Sequence, residues 1–136
     1  MPDVDLGPVE GGSGNLRAYV ATPAGRGPWP GVVAIHEVFG LDDQLRRQAD
    51  RLAAAGYLTV GPDLFSDGGM RRCVVSTLRA LTAGRGKPMA DIEAARNFLT
   101  GDHRCTGKIG IIGFCMGGGF ALATANIGFD AAAANY

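Results

Sequence analysis

Cys115 stands in the run IGFCMGGGF (112–120), with Gly113 two residues before it and Gly117, Gly118 and Gly119 behind it. A thiolate can attack a carbonyl carbon. That chemistry needs an exposed sulfur, a group to hold or take its proton, and N–H donors for the developing oxyanion. A short apolar run, KIGII (108–112), precedes the cysteine, and a small-residue run, FALATA (120–125), follows it. The cysteine therefore falls at the joint between an expected strand and an expected helix.

Three readings of this joint compete. In the first, Gly113, Cys115 and Gly118 occupy the glycine positions of a G-x-G-x-x-G dinucleotide fingerprint. Cysteine then replaces the middle glycine, whose bare backbone lets a pyrophosphate approach. The acidic residue expected about 20 positions on is also missing; the only nearby acid, Asp130, opens the next strand. In the second, Cys115 is an inert buried thiol, which is the ordinary state of a free cysteine and the reading given to Cys73 and Cys105. Packing alone does not call for glycines on both sides. The third is a nucleophile elbow, a strained turn that pushes the nucleophile out above the sheet. It requires small residues two before and two after, where strand and helix close tightly. Gly113 and Gly117 hold those places. A helix beginning at Met116 aims its positive end at the sulfur and favours the anionic form. The Met116 amide is then one oxyanion donor.

A second donor is expected from the loop after an earlier buried strand. Here that loop is Ile35-His36-Glu37-Val38-Phe39-Gly40, and Val38 N–H is the candidate. Glu37 stands at the carboxyl end of that strand, where open α/β sheets bind ligands. Its carboxylate either holds the proton of Cys115 or is a solvated loop charge; the pattern leaves both open. His36 could enter the site, although a lone histidine is more often a satisfied structural residue. His103 precedes a strand at the opposite end of the sheet and reads as surface.

The elements that must carry these residues follow from hydrophobic periodicity. Residues 16–23 (LRAYVATP) alternate weakly and end at Pro23, a strand near a sheet edge. GVVAI (31–35), 57–60 and 108–112 are short apolar runs of buried strands. Apolar positions 41, 45, 49, 52 and 53 predict a helix over 41–55 stopped by Gly56. Pro88 opens another helix, with Met89, Ile92, Ala95, Phe98 and Leu99 on one face. Residues 116–126 form a third. Residues 66–88 are the least readable, with VVSTLRAL (74–81) a possible helix. Phe129 to Tyr136 begins a further apolar run. Strands alternating with helices predict one α/β domain over residues 1–136, with a doubly wound, mostly parallel sheet. A strand left at an open edge invites self-association, and the chain reads as truncated at its C-terminus.

Composition narrows the class. Thirteen basic residues balance thirteen acidic ones with no basic run, which disfavours nucleic-acid and anionic-membrane partners. No apolar stretch reaches the ~20 residues of a membrane span, and the start MPDVDLGPVE lacks the apolar segment of a signal peptide. A cytoplasmic location is the expectation. Three cysteines without a CxxC pair suggest free thiols in a reducing compartment and no zinc site.

Taken together, IHEVFGL (35–41), VGPDLF (60–65) and KIGIIGFCMGGGFAL (108–122) resemble the dienelactone hydrolase family of α/β-hydrolases, from about Gly31 onward. The resemblance implies an α/β-hydrolase fold. It also implies a carboxymethylenebutenolidase-like hydrolase of small-molecule lactones or esters, without cofactor or metal. Residue by residue, Cys115 matches the nucleophile, Glu37 the glutamate that helps activate it, and Val38 and Met116 the oxyanion amides. Two departures stand out. The family triad also uses an aspartate and a histidine after the nucleophile, whereas here Asp130 is the only later acid and no histidine follows. The resemblance therefore implies a chain with little hydrolase activity of its own. The family prototype also carries a substrate-holding arginine shortly after the PDLF-like turn, where this chain has Phe65-Ser66-Asp67. Arg71 or Arg72 could substitute, and a neutral ester or lactone is as open as the dienelactone. The rival readings are a non-catalytic or thiol-sensing protein of the same fold, and a nucleotide-binding Rossmann-like domain.

Overall fold

A computed structural model describes residues 3–135. A six-stranded sheet runs in the order β1-β2-β4-β3-β5-β6. Its strands are β1 (Asp3–Gly7), β2 (Leu16–Ala21), β3 (Trp29–Ile35), β4 (Leu58–Pro62), β5 (Cys105–Phe114) and β6 (Ala131–Asn135). β4, β3, β5 and β6 are mutually parallel, while β1 and β2 form an antiparallel margin. The expected doubly wound α/β architecture is present. Two details differ from the sequence reading. The N-terminal β1, whose Asp3 and Asp5 alternate with Val4 and Leu6, is an added strand, so β2 lies one in from the edge. The run expected from Phe129 pairs as β6 over Ala131–Asn135, and Tyr136 lies outside the described residues.

Helix α1 (Asp43–Ala54) starts where the Asp42 side chain accepts the Leu45 N–H at 3.0 Å, an N-cap that satisfies one orphan donor. The buried Leu45, Ala49 and Ala53 form one stripe, four residues apart, turned toward β2 and β4. The other face of the sheet is covered by α2 (Met70–Ala83), α3 (Lys87–Thr100) and α4 (Met116–Thr124). There Val33, Ile35, Ile109 and Ile111 pack against Ile92, Leu99 and Phe120 in the main core. Truncating the fully buried Phe120 to alanine would cost about 3–5 kcal/mol and free α4, the helix that begins at Met116.

Helix α2 extends beyond the expected VVSTLRAL in both directions, from Gly69 to a left-handed Gly84 at its C-terminal end. Only Thr77 of α2 is fully buried; Cys73, Val74 and Leu81 pack on the main core beside it, while Val75 and Leu78 face solvent, so apolar residues occupy both faces. α3 keeps the expected face and adds a buried acid. The Asp91 carboxylate accepts both the Ser13 N–H, at 2.8 Å, and the Ser13 hydroxyl, at 2.6 Å. Burial pushes Asp91 above its ordinary value, with the Ser13 bonds opposing the shift.

Candidate active site

The joint after β5 is a tightly constrained stretch of backbone. Cys115 has φ +54° and ψ −112°, and among the described residues it is the only non-glycine with positive φ. A cysteine pays side-chain strain there, which persists only when the surroundings impose it. They do. A Cβ at Gly113 would overlap the Gly117 carbonyl, and a Cβ at Gly117 would overlap the Ile35 carbonyl of β3. Two glycines thus let α4 fold back onto β5 and β3 within one turn. The Cys115 N–H is itself tied to the Asn135 carbonyl at 2.7 Å, so β6 anchors the turn from the side. The side chain is left exposed, unlike Cys73 and Cys105.

Cys115 opens onto a cleft of roughly 210 Å³ at the carboxyl ends of the parallel strands. Its walls include Glu37, Phe114 and Asn135, with Leu45 and Gln48 of α1 opposite. Glu37 and Cys115, predicted to act together, therefore share one cleft, though no hydrogen bond joins them. Val38 and Met116 directly follow the cleft residues Glu37 and Cys115 in the chain. Among the described residues, neither Val38 N–H nor Met116 N–H has a hydrogen-bond partner. Phe114, Gln48 and Asn135 were not singled out from the sequence. Phe114 alternates away from the core side of β5, which is a pattern cue. Gln48 and Asn135 carry no cue, because only the packing of α1 and β6 brings them to the cleft.

The remaining candidates lie elsewhere. His36 is buried beside Phe65, with ring centroids 4.9 Å apart. Its Nε2 accepts the Leu64 N–H at 2.9 Å, so Nδ1 carries the proton and donates to the Glu37 carbonyl at 2.6 Å. Burial lowers its pKa, while the Glu37 bond and the charges of Asp63 and Asp42 oppose that shift. His36 is therefore neutral and its 3.8 Å approach to Asp63 is not an ion pair. His103 has a side chain 95% exposed at the amino end of β5. Asp130 is at that end too, where its carboxylate accepts the Ile109 N–H at 2.8 Å. Arg71 and Arg72 are exposed on the first turn of α2 and do not line the cleft. Asp67, at the place of the prototype's arginine, is bound to Lys87 at 3.0 Å and to the Gly14 N–H at 2.9 Å. Among the described residues no three His, Cys, Asp or Glu side chains cluster in a way that could hold a metal ion. Among the described residues, no helix is long and apolar enough to cross a membrane.

Known proteins resemble this chain in sequence and fold. The carboxymethylenebutenolidase of Pseudomonas putida is 29% identical over 130 residues, which cover 88% of this chain and 54% of that enzyme. A Methylorubrum extorquens protein, provisionally named a carboxymethylenebutenolidase, is 33% identical over 115 residues, covering 77% of this chain and 38% of its own length. Among solved structures, a dienelactone hydrolase-like promiscuous phosphotriesterase from metagenomic libraries superposes with a TM-score of 0.77 at 28% identity. That match covers 95% of this chain and 54% of the other. The chain thus spans about half or less of these relatives' length. A model of the dienelactone hydrolase family matches residues 16–136, and the chain belongs to that family.

Proposed function

We propose that this chain carries the nucleophile and oxyanion hole of a lactone or ester hydrolase. The observation that supports this most is the forced, exposed Cys115 at φ +54° beside Glu37 in one cleft. In the proposed reaction the Cys115 thiolate adds to the carbonyl carbon of a small ester or enol-lactone. The C=O electron pair moves to oxygen, and that oxyanion is held by the Val38 and Met116 amides. Glu37 takes the thiol proton. Collapse breaks the C–O bond, the leaving oxygen picks up a proton, and a thioester remains on Cys115. Water then adds to the thioester, loses a proton to a base, and releases the acid and the free thiol.

The second half-reaction needs a base beside the thioester. His36 is neutral but buried and hydrogen-bonded at both ring nitrogens, and His103 is at the far end of β5. Neither is placed to serve as that base, and no histidine lines the cleft among the described residues. For this chain we propose stoichiometric acylation with slow release, which also covers the thiol-reactive reading. Three free thiols suit a reducing, cytoplasmic setting. The open β6 edge, with Ala131 to Ala133 exposed, favours self-association.

The test uses an activated ester such as p-nitrophenyl acetate. The expected result is a burst of one equivalent, with one hydroxylamine-labile acyl group on the Cys115 peptide. Acylation spread equally over Cys73, Cys105 and Cys115, or none, would overturn the proposal.

A further inference from the structure

His36 is buried, uncharged and fully hydrogen-bonded, and the reaction proposed above leaves it without a task. Its bonds, however, fall on one particular peptide. The Glu37 carbonyl accepts His36 Nδ1–H at 2.6 Å and also the Gly40 N–H at 3.1 Å. The other half of that peptide unit is the Val38 N–H. The Glu37–Val38 bond is trans, so the carbonyl and the N–H point in opposite directions within one plane. Clamping the oxygen from behind fixes the direction of the N–H in front.

The clamp is itself anchored. Nε2 accepts the Leu64 N–H, which sets the tautomer and ties the loop after β3 to the turn after β4. That turn is held in its own right. The Asp63 carboxylate accepts the Phe65 N–H at 2.9 Å and pairs with Arg17 at 3.2 Å. Phe65 packs on the imidazole, and a Cβ at Gly40 would come within 3.1 Å of the Phe65 ring. Gly40 has φ +83°, a turn that brings its N–H back to the Glu37 carbonyl.

We infer that His36 is a positioning residue that aims the Val38 N–H by holding the carbonyl of the same peptide, and so sets the strength of the oxyanion hole. This rests on the reading of Val38 as an oxyanion donor. A polarised carbonyl also makes its own N–H a better donor, since hydrogen bonds along a chain reinforce one another. Pre-aimed donors are what an oxyanion hole requires, because they need no reorganisation as charge develops.

The test compares two reactions of the same sulfur. Acylation by p-nitrophenyl acetate passes through an oxyanion; alkylation by iodoacetamide does not. His36→Gln keeps an acceptor near the Nε2 place for Leu64 N–H and removes the Nδ1 donor. It is expected to slow acylation of Cys115 by about 10- to 100-fold, at or below the ~10²–10³ for deleting an oxyanion donor outright, with alkylation within about twofold. His36→Asn places an amide N–H near Nδ1 and is expected to restore most of the loss. A change shared equally by both reactions, or no change in either, overturns the inference. Independently of any variant, 15N NMR of the unsubstituted protein should show Nδ1 protonated and Nε2 bare at neutral pH; the opposite tautomer overturns it too. If the unsubstituted protein alkylates at Cys115 but never acylates, it is the hydrolase reading that fails instead.

Discussion

Strand β5 begins with one cysteine and is followed by another, and the two sulfurs have opposite surroundings. Cys105 opens β5 where its pairing with β3 shifts register, half-buried against the main core, with its Sγ 3.1 Å from where a Cβ on Gly31 would stand. Cys115 lies one residue past the other end, in a left-handed conformation, exposed in a cleft that it shares with Glu37. The residue type is the same, at the start of one strand and just past its end. What differs is whether neighbouring backbone leaves room for the chain to relax. Around Cys105 the close contacts are flexible side-chain tips. Around Cys115 they are carbonyls of β3 and α4 that cannot move aside.

The largest effect should come from filling the space at each end. Gly113→Ala would drive a methyl into the Gly117 carbonyl, and should cost more than about 3 kcal/mol and abolish selective reaction at Cys115. Gly31→Ala meets side-chain atoms, Cys105 Sγ and Leu99 Cδ1 at 3.1 Å and Ile109 Cγ1 at 3.4 Å, and should cost about 1–2 kcal/mol while leaving Cys115 reactive. Urea unfolding with thiol labelling checks both, and equal costs would break the comparison.

The next effect is pH-dependent. His36 has its pKa lowered by burial from 6.5, although Asp63 and Asp42 face it with negative charge. The unfolded chain therefore takes the proton first. Its contribution is fully present above pH ~6.5 and is lost as pH falls toward the lowered folded value, at up to ~1.4 kcal/mol per unit. Urea midpoints between pH 7.5 and 5 should show this slope, and His36→Asn should flatten it. The buried Asp91 has its pKa raised and contributes with the opposite sign, favouring the fold as pH falls toward the ordinary carboxylate range.

Cys115→Gly should stabilise the fold by about 1 kcal/mol, because glycine accepts positive φ without side-chain strain. A destabilised variant would mean that the elbow is not strained. The smallest stability effect belongs to Ala132→Lys on the open β6 edge, within about 0.5 kcal/mol. It should nevertheless reduce any self-association seen by sedimentation.

Much of this was legible in the sequence because it depends on local pattern. The buried strands 31–35, 57–60 and 108–112 announce themselves as short apolar runs, and Gly113 and Gly117 mark the elbow by spacing alone. Leu45, Ala49 and Ala53 show the inward stripe of α1. Other features depend on what the chain meets after folding. β1 carries two acids in five residues and pairs along the edge of β2. α2 hides its period by exposing Val75 and Leu78. The role of His36 depends on Leu64, 28 residues away, so no local reading of HEVFG could find it.

The account turns on a backbone that forces one sulfur outward. Its most direct test is the relative rate of iodoacetamide labelling at Cys73, Cys105 and Cys115 in the folded chain, read peptide by peptide by mass spectrometry. Cys115 should react on the order of tenfold faster or more, as an exposed thiol at a helix N-terminus does, with the difference vanishing in urea. Equal labelling of the three thiols in the folded chain would contradict it.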